Sequence, residues 1–150
     1  MASVDKIKKL RNKTAVSIAE CKKALKETDG DLEKAEKLLK ERGEKVSNKR
    51  ADKEASEGLI DAYIHSNGKV GVLLELGCET DFVAKSDDFK DLAHELCLQI
   101  AASDPEEVKE DFTDQPWIKD QEKTIGDLIN KYIAKLGEKI VIKQYTRYQI

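Results

Sequence analysis

Between Val70 and Ala101 the hydrophobic period changes once, from two residues to about 3.6. This change restricts the fold more than any other feature of the chain. Val70, Val72, Leu74 and Leu76 alternate with Gly71, Leu73, Glu75 and Gly77, the pattern of a strand with one buried face. Ser86 then suits the N-cap of a helix whose apolar positions are Phe89, Leu92, Ala93, Leu96, Cys97, Ile100 and Ala101. Upstream, residues 58–65 alternate too, with Ile60, Ala62 and Ile64 on one face. Ser66-Asn67-Gly68 lies between the two strands, and Asn-Gly is the strongest short-range hairpin signal. A hairpin followed directly by an amphipathic helix buries one sheet face under that helix.

The other elements follow from the same rules. Thr124 can cap a helix with the stripe Ile125, Leu128, Ile129, Tyr132, Ile133 and Leu136, ended by Gly137 as a C′ residue. Residues 139–150, KIVIKQYTRYQI, are β-branched and aromatic, and are expected to join the hairpin as a third antiparallel strand. Near the N-terminus, Val4, Ile7 and Leu10 form a first helical stripe. Ser17 and Glu20 form the S-x-x-E pattern of a capping box for a second helix carrying Ile18, Cys21 and Leu25, with Gly30 just past its end. Asp31 can cap a third, with Leu32, Ala35, Leu38 and Leu39, closed by Gly43. The charged stretch 44–57 is either a solvated linker or an exposed helix with internal ion pairs, and its Lys49, Arg50 and Lys53 read as a solvated charge run. Asp104-Pro105 is expected to stop the long helix, and residues 105–115 read as an acidic loop. The expected fold is therefore α+β. A three-helix module (1–43) and a charged linker (44–57) precede a core subdomain (58–150), a three-stranded antiparallel sheet with helices packed on one face.

Several functions are disfavoured by composition. Charged residues make up 38% of the chain but nearly cancel, leaving a net charge of −3, whereas a phosphate-backbone binder wants a basic surface. No apolar run approaches membrane-spanning length, and MASVDKIKKLRN lacks a signal-peptide hydrophobic region. Cys21, Cys78 and Cys97 are odd in number and lack metal-ligand spacing, so reduced thiols in a cytoplasmic protein are expected, with no metal and no cofactor. His94-Glu95 begins an H-E-x-x-H pattern but lacks the second histidine. Cys78 with His65 or His94 is a weak candidate for a thiol nucleophile and its base, since free cysteine usually behaves as a small buried hydrophobe. Neither phosphate-binding glycine motif is present, so the chain holds no nucleotide in a recognisable way.

The segment that composition does not explain is Thr80-Asp81-Phe82-Val83-Ala84, between the strand and the helix. Short connections favour Gly, Asn, Asp or Ser, yet this one centres on a Phe beside a carboxylate. Two readings stand. Phe82 folds back under the helix as core, as large aromatics usually do, or it protrudes as an anchor for a partner protein.

With its flanks, this segment is a landmark. CETDFVA between a Leu-rich strand and an amphipathic helix resembles the signature of the bacterial translation elongation factor Ts family, the guanine-nucleotide exchange factors of elongation factor Tu. LRNKTAVSIAECKKAL (residues 10–25), with Gly30-Asp31 and Glu41-Arg42-Gly43, resembles that family's N-terminal module. QPWIKD (115–120) leading into IAKLGE (133–138) is a third landmark in the family's order.

The resemblance implies a ubiquitin-associated-like N-terminal module that docks on the GTPase domain of elongation factor Tu through Leu10, Arg11, Ile18 and Ala19. It implies that Asp81 and Phe82, shaped by Thr80, Val83 and Ala84, enter near the Mg²⁺ and phosphate site of that GTPase. It implies a cytoplasmic protein that binds both the GDP-bound and the nucleotide-free GTPase without covalent chemistry, and it leaves room for homo-oligomers. The chain departs from the family pattern at Ala15, where Gly is common, and at Ile18-Ala19, where two methionines are common. It also lacks a helical segment before Gln115-Pro116, and it has a single core subdomain. A non-catalytic adaptor, with the helices binding a helix or a ubiquitin-like partner, is the alternative from another class.

Overall fold

The computed structural model describes residues 3–14, 16–103 and 111–150. Three helices come first: α1 (Val4–Thr14), α2 (Ile18–Glu27) and α3 (Leu32–Arg50). Ser17 Oγ accepts from Glu20 N–H at 3.2 Å, and Asp31 Oδ1 accepts from Lys34 N–H at 3.1 Å, so both caps expected from sequence form. Glu20 does not complete a capping box; its carboxylate lies 3.5 Å from the Arg42 guanidinium on α3. Leu10, Cys21, Ala24, Leu25, Ala35 and Leu39 form the small core of this part.

One boundary differs from expectation. Gly43 does not close α3, which runs on to Arg50 through the first half of the charged stretch. Gly43 is buried where α3 crosses a later helix, and a Cβ built on it would sit 3.4 Å from the Ala134 side chain. The continuation is held by that packing, which outweighs the roughly 1 kcal/mol penalty of a mid-helix glycine. It is not held by internal ion pairs, since Arg50 pairs instead with Glu79.

The sheet contains β1 (Glu57–Ile64), β2 (Val70–Cys78) and β5 (Ile140–Gln149), all antiparallel, in the order β1-β2-β5. β2 is central, and its inward residues Val72, Leu74, Leu76 and Cys78 are buried. Across them lies α5 (Asp87–Ala102), which presents Phe89, Leu92, Ala93, Leu96, Cys97 and Ile100, all fully buried. β1 alternates as its sequence predicts, but Ile60, Ala62 and Ile64 point to the uncovered face. Ile60 is 68% exposed and Ile64 72%. Leu59 and Tyr63 face the core instead.

Between α5 and the last strand the chain makes a turn of 3-10 helix (Phe112–Asp114), a small hairpin of β3 (Pro116–Trp117) and β4 (Asp120–Thr124), and α6 (Ile125–Leu136). The expected helix stop at Asp104-Pro105 and much of the acidic loop lie outside the described residues. The hairpin was not expected from sequence. It is fastened by buried Gln99 of α5, whose Nε2 donates to Pro116 O at 3.1 Å and whose Oε1 accepts from Ile118 N–H at 2.9 Å. Arg147 of β5 donates to the Ile100 and Ala101 carbonyls, each at 3.0 Å, closing the C-terminal end of α5. The α+β class, with N-terminal helices and a small antiparallel sheet, is thus the fold adopted.

α6 belongs to the main core and packs across α3 at Gly43. Thr124 Oγ1 accepts from Asp127 N–H and Asp127 Oδ2 accepts from Thr124 N–H, both at 3.0 Å, a complete capping box. Asp127 also lies 3.3 Å from the Lys40 ammonium on α3. Burial pushes the Asp127 carboxyl up, but the Thr124 N–H and the Lys40 ammonium outweigh it and hold the group below its ordinary 3.8. At the other end, Gly137 takes the left-handed conformation (φ 72) that a C′ glycine supplies.

Asp127→Ala should destabilise the protein by about 1–2 kcal/mol, since it removes the N3 carboxylate that accepts Thr124 N–H and faces Lys40. A carboxyl with a lowered folded pKa adds stability above its unfolded value and loses it as pH falls through its folded value. The gap between wild type and variant in urea melts should therefore be full at neutral pH and close progressively below pH 3.8.

Candidate functional site

At the end of β2 the chain turns into a helix of four residues, α4 (Asp81–Ala84). So short a helix is not stable by itself. It is fixed by two caps and a buried edge. Thr80 is its N-cap, with Oγ1 accepting from Val83 N–H at 3.3 Å. Ser86 donates to Val83 O at 2.7 Å and accepts from Phe89 N–H at 3.3 Å, so it closes α4 and opens α5. Val83 and Ala84 are buried in the main core. Cys78 Sγ–H donates to Thr80 O at 3.2 Å beneath the turn.

Phe82 lies on the opposite side of α4. It is 86% exposed, so the core reading of this residue fails. With its neighbours Val83 and Ala84 inside, the helical turn directs Phe82 outward. Beside it, Asp81 pairs with Lys85 at 2.7 Å, one helical turn on, and this contact raises the Lys85 ammonium. Both members are well exposed, and such pairs contribute little. Asp81 can therefore exchange Lys85 for another partner at small cost.

Two carboxylates clasp the start of this turn. Glu138, next after Gly137, accepts Glu79 N–H at 3.1 Å and Thr80 N–H at 2.9 Å on Oε1, and the Thr80 hydroxyl at 2.7 Å on Oε2. Glu79 answers: its Oε2 accepts Lys139 N–H at 2.7 Å, and its Oε1 faces the Arg50 guanidinium at 3.3 Å. Lys139 Nζ in turn donates to Ala51 O at 2.8 Å. Glu79, Glu138, Arg50 and Lys139 were not legible as parts of a site. Glu79 stood in the CETDFVA landmark, Glu138 at the end of the third landmark and Arg50 in a solvated charge run, but nothing in the sequence linked them.

The N-terminal candidates separate. Arg11 and Ala19 are exposed and Ile18 is 55% exposed, so these three form available surface. Leu10 does not join them. It is fully buried in the small core and acts there as packing. Ala15 lies outside the described residues.

The candidate covalent chemistry does not assemble. All three cysteines are buried, and burial pushes the Cys78 thiol to about 11 and the Cys97 thiol to about 12. Cys78 is bonded to a backbone carbonyl, while His65 and His94 flank Tyr63, His65 through a 3.0 Å contact between its Nδ1 and the Tyr63 hydroxyl. Among the described residues no three His, Cys, Asp or Glu side chains converge as metal ligands. Nor is any helix among them long and apolar enough to cross a membrane.

Comparison with known proteins shows which family the chain is similar to. A family model described as "Elongation factor TS" matches residues 79–150, and one described as "Elongation factor Ts, mitochondrial, N-terminal" matches residues 1–46. A relative named Elongation factor Ts from Moorella thermoacetica is 41% identical, with 100% of this chain and 96% of that protein covered. Its namesake from Coprothermobacter proteolyticus is also 41% identical, with 99% and 98% covered. That from Thermotoga neapolitana is 38% identical, with 99% and 96% covered. The first alignment spans 194 positions against 150 residues here, so that relative carries residues with no counterpart in this chain.

Because Phe82 packs against almost nothing, Phe82→Ala should change unfolding free energy by less than about 0.5 kcal/mol. Phe89→Ala, at a fully buried position, should cost about 3–5 kcal/mol in the same denaturant melts. The thiols give a separate check. Near neutral pH the folded protein should react slowly with an aromatic disulfide reagent at all three cysteines, and fast labelling of Cys78 before unfolding would contradict its burial.

Proposed function

The chain belongs to the elongation factor Ts family, and from that premise we propose that it is a guanine-nucleotide exchange factor. It binds elongation factor Tu carrying GDP and promotes release of the GDP during translation elongation, as a cytoplasmic protein. The observation that carries this reading is Phe82: a large aromatic ring, 86% exposed, on a short helix held by a cap at each end and by buried Val83 and Ala84.

The physical requirement is linkage. A factor that speeds GDP loss must bind the nucleotide-free GTPase better than the GDP-bound form, and GDP then weakens the factor's binding by the same ratio. It therefore needs a group that fits only the distorted GTPase. Phe82 suits this role, because its ring gains burial only when the partner opens to receive it, a term of about 1.5–3 kcal/mol. Asp81 follows it toward the Mg²⁺ and phosphate site, leaving Lys85 for a group there. Disturbing the ligands of Mg²⁺ leaves the phosphate charge poorly neutralised, and GDP affinity falls. Thr80, Val83 and Ala84 hold the shape of the turn.

The N-terminal helices (1–43) serve in this reading as the docking module, through Arg11, Ile18 and Ala19. Leu10 supports that surface from beneath. Docking and intrusion are separate tasks: the first sets affinity, the second lowers the barrier to release. No step requires covalent chemistry, which accords with buried and protonated thiols.

The test is release of a fluorescent GDP analogue from elongation factor Tu, with excess unlabelled GDP and catalytic amounts of this protein. Wild type should accelerate release. Phe82→Ala should be slower by about tenfold or more, since 1.4 kcal/mol is a factor of ten. Without acceleration by wild type, the adaptor reading moves to first place, and affinity for the GTPase, if any, should then ignore GDP.

A further inference from the structure

We propose that Glu138 is a positioning residue for exchange: it fixes the turn that presents Phe82 and acts chiefly through that ring. The proposal rests on the exchange reading above.

The argument starts from what holds Phe82. With 86% of the residue exposed, no packing fixes its direction. The Cα–Cβ vector is therefore set by the backbone of residues 79–83. All three hydrogen bonds accepted by Glu138 fall on the two residues that precede α4, at Glu79 N, Thr80 N and Thr80 Oγ1. The third bond matters most. A Thr hydroxyl has a single proton, and here it is committed to the Glu138 carboxylate. Its lone pairs are then left to accept Val83 N–H, the bond that caps α4. Glu138 thus determines the rotation of the hydroxyl that caps the Phe82-bearing turn.

The placement of Glu138 is itself fixed. Gly137 in the left-handed conformation ends α6 and turns the chain toward β2. The Lys139 N–H is returned to Glu79 at 2.7 Å, so each of the two segments grips the other's backbone. The clasp brings two carboxylates to neighbouring backbone segments, and Arg50 beside Glu79 supplies a positive charge there. The hydrogen bonds of Glu138 fall on Glu79 and Thr80, not on Arg11, Ile18 or Ala19, so its substitution leaves the docking side chains themselves in place.

The test is a double-mutant cycle on GDP release, measured against factor concentration for wild type, Phe82→Ala, Glu138→Ala and the double variant, with thermal melts of each. Glu138→Ala should lower the maximal release rate by about tenfold, within the range that misplacement of a working group produces. Its half-saturating concentration should stay within about twofold of wild type, and the double variant should be slower than Phe82→Ala alone by no more than about twofold, the share left to Asp81 on the same turn. A generally loosened fold would instead lower the rate beyond that in the double variant, and that multiplication would overturn the proposal. So would a wild-type rate for Glu138→Ala, while a slow Phe82→Ala in the same experiment would leave the exchange reading standing. No acceleration by wild type would remove both. If Glu138→Ala does not fold, Glu138→Gln carries the cycle. It keeps an oxygen for the two N–H groups but puts an amide against the Thr80 hydroxyl, and a loss smaller than tenfold, again largely absent on the Phe82→Ala background, is expected.

Discussion

The structure depends on the burial of one face of β2 beneath α5. This strand is hydrogen-bonded on both edges, and its side chains at 72, 74, 76 and 78 meet the apolar stripe of the helix that follows it in sequence. The connection between them is therefore short by necessity, eight residues from Glu79 to Ser86, and both of its ends are anchored in the core. A connection held this firmly at both ends is a rigid platform. Rigid platforms are where an exposed group can be held in one direction without packing of its own.

Exposing a phenylalanine is unfavourable unless the local backbone has no better option. Here the alternatives are closed off. Rotating α4 to bury Phe82 would bring Val83 and Ala84 out of the main core and break the Thr80 and Ser86 caps. Two small or medium apolar side chains plus two caps together outweigh one ring, at about 1 kcal/mol per cap and about 0.8 kcal/mol per buried methylene. The exposure of Phe82 is thus a consequence of sequence order within five residues, Thr-Asp-Phe-Val-Ala, rather than of any contact the ring makes.

Legibility in the sequence follows the range of the interaction. The β2–α5 pattern, the hairpin at Asn67-Gly68, the caps at Ser17, Asp31, Ser86 and Thr124 and the stop at Gly137 are all set by residues a few positions apart, and all were readable. Gly43 was misread as a helix end because a glycine carries the same local signal whether it stops a helix or lets two helices touch, and the partner, Ala134, is distant in sequence. Leu10 was placed on the docking surface by resemblance, yet its burial depends on α2 and α3 folding over it. The outward direction of Ile60 and Ile64 was hidden because alternation defines two faces without saying which one a helix will cover. Glu138 reaches Thr80 across 58 positions, and a lone glutamate after a helix-ending glycine has no pattern to mark it.

The same distance dependence explains why α3 matters to the site. Its first half packs in the N-terminal core through Ala35 and Leu39, its second half packs through Val46 on the main core, and its last residue, Arg50, faces Glu79 in the clasp. Had Gly43 ended the helix, a flexible charged segment would have separated the N-terminal surface from the turn. Interaction energy gained at one end could then not constrain geometry at the other, since a loose tether raises local concentration without fixing orientation. A continuous helix makes the exposed surface at Arg11 and Ile18 and the ring of Phe82 parts of one packed unit. That is the condition under which binding at the first can be used to drive a poorly fitting group into place at the second.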